Sequence, residues 1–371
     1  MTSLRTAFKG VDWSFSDQSR RTDLDGLHPY PAKFIAEIPA TFIERLEIPL
    51  GTFVLDPFSG SGTTLVQGQR FGLRTIGVDL NPIACLMGRV KTSPLPDGVD
   101  LAGRMIQESL DEYEPSLDWF DSIPNVDHWF ESSVKERLGQ LTASINRLPD
   151  SWHDCANLAL SSIVVKVSRQ DSDTRYAAVE NDVSPSDVDR LFLNALEKVI
   201  GALRSRDYEL VESHVVEGDA LRVDLSKFDQ AVGAIITSPP YPNAYEYWLY
   251  HKYRMYWLGL DPAAVKDREI GARAHFFKKN GHTAETFRLQ ISEAFATWSA
   301  LIHPDGWIAI VVGRSKIHGE IVDNASMIQE VARTFGFEDQ LRVEREILKS
   351  RKSFNLAHAK ISSESVLVMR R

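Results

Sequence analysis

The chain has 371 residues, 43% hydrophobic and 25% charged, enough for one large domain with an insertion or for two domains. No apolar run approaches a membrane helix and no stretch near Met1 resembles a signal peptide, while two cysteines, Cys85 and Cys155, cannot build a disulfide framework or a cysteine-rich zinc site, so a reducing cytoplasm is the expected setting. A formal net charge of −9 suits a nucleic-acid partner only if basic side chains gather on one face, as the stretches Lys266 to Lys279 and Arg342 to Lys352 would allow.

Residues 1–27 are polar and are expected to form an arm or a loosely attached segment. From Thr52 the pattern becomes α/β. Thr52-Phe-Val-Leu-Asp56 reads as a short apolar strand, and Phe58-Ser-Gly60-Ser-Gly62 as a Gly-rich turn. A helix follows from Thr63 to about Phe71, with Gly72 as its stop signal. Arg74 to Asp79 is a second buried strand, and Asn81-Pro82 opens another helix. This strand–helix–strand unit predicts a sheet that is parallel at its centre.

Residues 100–205 read instead as a helical insertion that could carry DNA recognition. Val134, Leu138, Leu141, Ile145 and Leu148 share one face, with Ser133 and Glu136 as an expected capping box. Val188, Leu191, Phe192, Leu196, Val199 and Leu203 repeat the pattern. Strands return at Glu209 to Val216, Ala231 to Thr237, and Trp307 to Val312, the last after a long helix from about Thr283 to Ile302. Ser365 to Met369 reads as the final strand. Residues 28–99 and 206–371 therefore form the expected Rossmann-like α/β domain, with a mostly parallel sheet and helices on both faces.

A strand ending in an acid, a Gly-rich turn and a helix N-terminus together make a nucleotide-type binding edge. The third glycine of a dinucleotide fingerprint is missing, since position 65 is Leu, and no Gly-Lys-Ser/Thr follows. The expected ligand is a nucleoside without a pyrophosphate. Asp79 ends the second strand, where a carboxylate can accept both hydroxyls of a ribose. Asp219 follows the next strand and could accept an adenine amine, with Ala220 beside it. Each acid could instead be a helix cap or turn residue, but Asp56, Asp79 and Asp219 all fall at strand ends.

Ile236-Thr-Ser238-Pro239-Pro240-Tyr241 follows a strand directly. Two prolines cannot continue a ladder, so the chain should stop at the carboxyl edge of the sheet with a hydroxyl, a free carbonyl and an aromatic ring held there. Together with Asp56-Pro-Phe58-Ser-Gly60-Ser-Gly62-Thr63-Thr64, this tetrapeptide resembles the amino-group DNA methyltransferases, and Ser at its first position resembles their cytosine-N4 branch. His28-Pro-Tyr30-Pro31-Ala-Lys33-Phe34 is similar to the segment that closes over the methionine end of the cofactor in that family. The resemblance covers about 28–95 and 209–371. It implies S-adenosylmethionine as cofactor, bound by His28, Tyr30, Pro31, Lys33, Asp56, Phe58, Gly60, Gly62, Thr63, Asp79, Leu80, Asp219 and Ala220. Ser238, Pro239, Pro240 and Tyr241 would then act on an amine of a base flipped from double-stranded DNA.

Ring-carbon methylation would need a thiolate, and the Pro-Pro loop has no Cys; Cys85 and Cys155 lie in apolar helices and read as core. Arg169, Arg175, Tyr245, Arg273, Lys278 and Lys279 are the candidate DNA contacts, although a solvated polar loop explains Arg169 and Arg175 equally well. Most aromatics from Tyr245 to Trp257 fit helix packing better than a base-facing surface. No His or Cys spacing suggests a metal site. A cognate restriction endonuclease is a compatible partner, and oligomeric state is left open. The alternatives are adenine-N6 or RNA-amine methylation, and a catalytically inert cofactor- or DNA-binding subunit.

Overall fold

The structure, a computed structural model, describes residues 4–16, 19–98, 120–173, 175–226, 228, 232–242, 246–277, 281–347 and 363–371. Its main strands are β1 (Phe53–Asp56) and β2 (Arg74–Asp79). A small β3–β4 ribbon (Gln170–Ser172, Arg175–Ala178) precedes β5 (Ser213–Glu217) and β6 (Val232–Thr237). The long β7 (Ile302–Gly313) leads into a β8–β9 hairpin (Ser315–Ile317, Glu320–Val322), then β10 (Glu338–Glu346) and β11 (Ser363–Arg370). Seven of these form one sheet in the order β10-β11-β7-β6-β1-β2-β5. β5, β2, β1, β6 and β7 run parallel, and β11 enters antiparallel between β7 and β10. The chain winds outward from β1 to β5, then returns to build β6 and β7 on the other side. That reversal puts a topological switch point between β1 and β6, where doubly wound sheets open their ligand crevice.

The central strands are apolar runs because both faces are covered: every residue of β1 and β6 is buried. Alternate residues serve opposite layers. Phe53, Leu55, Ile235, Ile308 and Ile310 pack with Phe287, Phe295 and Trp298 of the Ala284–Leu301 helix. Val54, Ala234, Ile236, Ala309 and Val311 face the other way, against Ile38 and Phe42 of the Glu37–Arg45 helix. Local chemistry sets several boundaries as expected. Gly72, at φ +69, follows the Thr63–Arg70 helix, and Asn81 caps the Pro82–Thr92 helix by accepting from Ile83 N–H at 2.9 Å.

The N-terminal segment corrects the expected loose arm. Phe8, Trp13 and Phe15 are buried in the layer around Phe42, with the Trp13 and Phe42 rings 5.7 Å apart. Leu24 and Leu27 join a third core made by the Pro82–Thr92 helix, the helices of the 100–205 region and the Tyr247–Trp257 helix. The middle region therefore shares its apolar core with the sheet domain. Its Ser132–Ile145 helix starts after Glu131 with no side-chain cap, so the Ser133–Glu136 capping box does not form. The basic stretch from Arg342 begins inside β10, an edge strand. No helix among the described residues is long and apolar enough to cross a membrane.

Candidate active site at the sheet edge

The parallel strands end in Asp56, Asp79, Glu217, Thr237 and Gly313, all on one edge. Thr237 Oγ1 donates to Asp56 Oδ1 at 2.7 Å, so the strand preceding Ser238 is tied to the strand preceding the Gly-rich turn across the switch point. Phe58 N–H also donates to Asp56 Oδ1, at 3.2 Å, and the Phe58 ring packs on Trp298. Burial nevertheless pushes the Asp56 carboxyl up to about 6, with the Thr237 hydroxyl only partly offsetting it.

The Gly-rich turn is built without side chains where space is shortest. Gly60 has φ +46, and a side chain there would come within 3.1 Å of the Tyr30 hydroxyl. Gly62 has φ +78 and faces the Gly88 Cα, 3.1 Å from where its own Cβ would stand; Thr63 then opens the helix. Asp79 holds the turn from below: Oδ2 accepts from Gly60 N–H at 2.7 Å and Oδ1 from Asn81 N–H at 2.8 Å. Its carboxyl is also pushed up to about 6 by burial. Leu80, beside it, packs against the helical core. On the far side of the turn, Lys91 is buried and donates to the Ser61 carbonyl at 2.6 Å; burial brings its ammonium down to about 7.

Ser238 follows Thr237 at the edge, half-buried, with Pro239 buried and Pro240 half-buried. Two glycines shape the loop from outside. A Cβ on Gly313 would lie 3.0 Å from the Tyr241 ring, so the ring rests on the end of β7. A Cβ on Gly271, at φ +72, would meet the Tyr241 carbonyl oxygen at 2.8 Å. Gly271 therefore lies directly on the backbone of the Pro240–Tyr241 loop.

Tyr30 reaches the site from the N-terminal side, stacked on Tyr247 at 5.4 Å and on His251 at 5.5 Å. Pro31, next to it, is buried. His28 and Lys33 are turned to other tasks. His28 Nε2 pairs with Ser161 Oγ at 2.9 Å and Nδ1 with the Pro29 carbonyl at 2.6 Å, while Lys33 donates to the carbonyls of Asp25 and His28. Asp219 Oδ1 accepts from Leu221 N–H at 3.0 Å, the turn geometry its residue type also allowed, and Oδ2 stands 3.9 Å from Arg268; Ala220 beside it is buried. Both thiols are buried and raised by burial, Cys155 up to about 12, and Cys85 donates back to the Asp79 carbonyl.

Among the candidate DNA contacts, Arg169 is held inside its own region by Glu131 and the Asp127 carbonyl. Arg175 opens β4, and Arg273 is exposed at the start of the Arg273–Phe277 helix. Tyr245, Lys278 and Lys279 lie outside the described residues. In the second basic stretch, Arg342 is 3.0 Å from Asp323, and buried Arg345 pairs with Glu364. β10 thus uses these two arginines to hold its neighbours.

Sequence reading missed Glu269, His251, Lys91, Gly271 and Gly313. Glu269 is buried and accepts from Tyr247 N–H at 2.7 Å through Oε1, while Oε2 has no partner. Burial pushes its carboxyl up to about 8. Both His251 ring nitrogens are also buried without a hydrogen-bond partner.

Residues 6–88 match the N6/N4 DNA methylase family. The chain is 40% identical over 86 residues to the Type II methyltransferase M.MjaII of Methanocaldococcus jannaschii, covering 22% of this chain and 16% of that protein. It is 33% identical over 129 residues to the Type II methyltransferase M.MvaI of Kocuria varians, 32% of this chain and 28% of the relative. Identity to the Type II methyltransferase M.BsoBI of Geobacillus stearothermophilus is 22% over 270 residues, 64% of this chain and 53% of the relative. The matches thus span about half or less of the length of these relatives. With the Gly-rich turn and the Ser238-Pro-Pro-Tyr241 loop joined on one sheet edge, the chain is similar, over residues 6–88, to the amino-group (N6/N4) DNA methylase family.

Proposed function

We propose that this chain transfers a methyl group from S-adenosylmethionine to the N4 amine of a cytosine flipped out of double-stranded DNA. The observation that carries the reading is the Thr237–Asp56 hydrogen bond, which fixes the Ser238 loop against the Gly-rich turn at the switch point. Choice of cytosine rests on Ser238, where the resemblance associates Ser with N4 methylation. The residues present fit the cofactor: a turn bare of side chains at Gly60 and Gly62, and acids at the strand ends suited to a ribose and a cationic ligand.

When bound, S-adenosylmethionine supplies an electrophilic methyl on a sulfonium. The protein's task is to make a poor nucleophile good. A cytosine amine is delocalised into its ring; Ser238 Oγ and the Pro239 carbonyl would accept its two N–H bonds and help the nitrogen pyramidalise for in-line attack. The N–C bond to the methyl carbon would form as the C–S bond of the bound cofactor breaks, S-adenosylhomocysteine would leave, and the proton lost by the methylated amine would pass to water. Tyr241, seated on Gly313, gives the flipped base a stacking surface, worth about 1–3 kcal/mol by analogy with single-strand binders. That offsets part of the few kcal/mol spent on unpairing and unstacking. Phosphate contacts fall to Arg273, Lys278 and Lys279, with Arg175 and Tyr245 as further candidates toward DNA.

Transfer of labelled methyl to unmethylated genomic duplex DNA tests the proposal. Ser238→Ala should lower turnover by about 100-fold or more while cofactor affinity stays unchanged. Undiminished turnover in that variant would remove Ser238 from the chemistry.

A further inference from the structure

Glu269 is a buried carboxyl with half of its hydrogen-bonding capacity unused. Oε1 accepts from Tyr247 N–H at 2.7 Å at the start of the Tyr247–Trp257 helix, and the neighbouring Trp248 N–H also favours the ionised carboxylate. Oε2 is buried and unpaired. Leaving such an oxygen without a donor costs stability, and proteins keep that cost chiefly at functional sites. A helix cap alone needs only Oε1.

Its surroundings indicate what would satisfy it. Two residues on, Gly271 touches the Tyr241 carbonyl, so Glu269 borders the Ser-Pro-Pro-Tyr loop. The charges close enough to act on it are Asp79, which holds the Gly-rich turn, and Glu246, and both disfavour its ionisation. Tyr30, the ring lying over Gly60, feels both Asp79 and Glu269. Glu269 thus lies among acids and aromatic rings, where burial pushes the carboxyl up to about 8. A neutral donor would leave that excess of acid in place. A cation would relieve it and fill the vacant oxygen together.

We infer that Glu269 Oε2 receives the α-ammonium of the methionine end of S-adenosylmethionine, making Glu269 a cofactor-binding residue that no motif marks. This rests on the proposed cofactor. Aromatic rings beside the carboxylate suit the same ligand, since cations favour ring faces.

Glu269→Gln keeps an oxygen for the Tyr247 N–H and removes the charge, so helix and fold should persist, checked by thermal melting. Calorimetric titration of the full chain with S-adenosylmethionine and with methylthioadenosine, which keeps the nucleoside but lacks the amino-acid end, separates the outcomes. The inference predicts that the variant loses about 10- to 100-fold in affinity for S-adenosylmethionine and little for methylthioadenosine. Equal losses for both ligands would overturn it by assigning Glu269 to the nucleoside, and an unchanged affinity for S-adenosylmethionine would overturn it by reducing Glu269 to a helix cap. Wild-type protein that bound neither ligand would overturn the cofactor reading itself, and this inference with it.

Discussion

Thr237 Oγ1 donates to Asp56 Oδ1 at 2.7 Å, and this contact joins two strand ends 181 residues apart in the chain. Its consequence is positional. The Gly-rich turn begins just after Asp56 and the Ser-Pro-Pro-Tyr loop just after Thr237, so neither loop moves on its strand without disturbing the other. A methyl donor held by the first and an amine held by the second would meet in a geometry set by the sheet.

Gly271 should prove as important as the motif residues. It has φ +72, and a methyl group there would stand 2.8 Å from the Tyr241 carbonyl oxygen. Gly259 has φ +69 with nothing within 4 Å, so Gly259→Ala isolates the cost of the backbone conformation alone. That cost should be on the order of 1–2 kcal/mol. Gly271→Ala should cost more in urea unfolding and should also lower methyl transfer. Equal effects of the two substitutions would show that the close approach to Tyr241 does not matter.

Asp79 has two roles to separate. It anchors Gly60 and Asn81 through backbone N–H groups, and it is the proposed ribose acceptor. Asp79→Ala should weaken S-adenosylmethionine binding by roughly 1.5–3 kcal/mol, the cost of losing a hydrogen bond to a charged group. An unchanged dissociation constant would rule out the ribose role.

Lys91 gives a prediction with a definite sign in pH. Its buried ammonium is brought down to about 7, from an unfolded value of 10.5. Between those values the unfolded chain binds more protons than the folded one, so the Lys91 contribution to stability rises with pH across that window and is least favourable below about 7. Lys91→Met removes the titration. The melting temperature of the variant minus that of the wild type should therefore be largest near pH 6.5 and fall toward pH 9.5. A difference independent of pH would mean that the ammonium is solvated.

Trp13 tests whether the N-terminal segment is part of the fold. It is buried beside Phe42, and the family match starts at residue 6. Trp13→Ala should cost about 3–5 kcal/mol in unfolding free energy. A loss below about 0.5 kcal/mol, typical of exposed positions, would restore the loose arm.

How legible each part was follows from burial. β1 and β6 were readable because strands covered on both faces must be apolar runs, and Gly72 and Asn81-Pro82 mark helix ends by local chemistry. β10, with sequence EDQLRVERE, escaped because an edge strand carries most of its charges outward, Arg345 excepted, and its arginines read as part of a basic patch. Phe8, Trp13 and Phe15 are diluted by polar neighbours, so composition hid an anchored segment. The Ser133–Glu136 pair had the spacing of a capping box, but the helix begins two residues earlier, with Glu131 rather than Ser133 at its N-cap. At the site, the residues read from motifs sit on strand ends and their turns. Glu269 and Gly271 owe their meaning to partners 22 and 30 positions away, which periodicity cannot register.

The central claim concerns which atom receives the methyl group. Duplex DNA incubated with the protein and S-adenosylmethionine carrying an isotopically labelled methyl, then digested to nucleosides for mass spectrometry, reads it directly. The account predicts labelled N4-methylcytosine, lost with Ser238→Ala. Label found only in N6-methyladenine would contradict the cytosine assignment, and label confined to RNA would contradict DNA as the substrate.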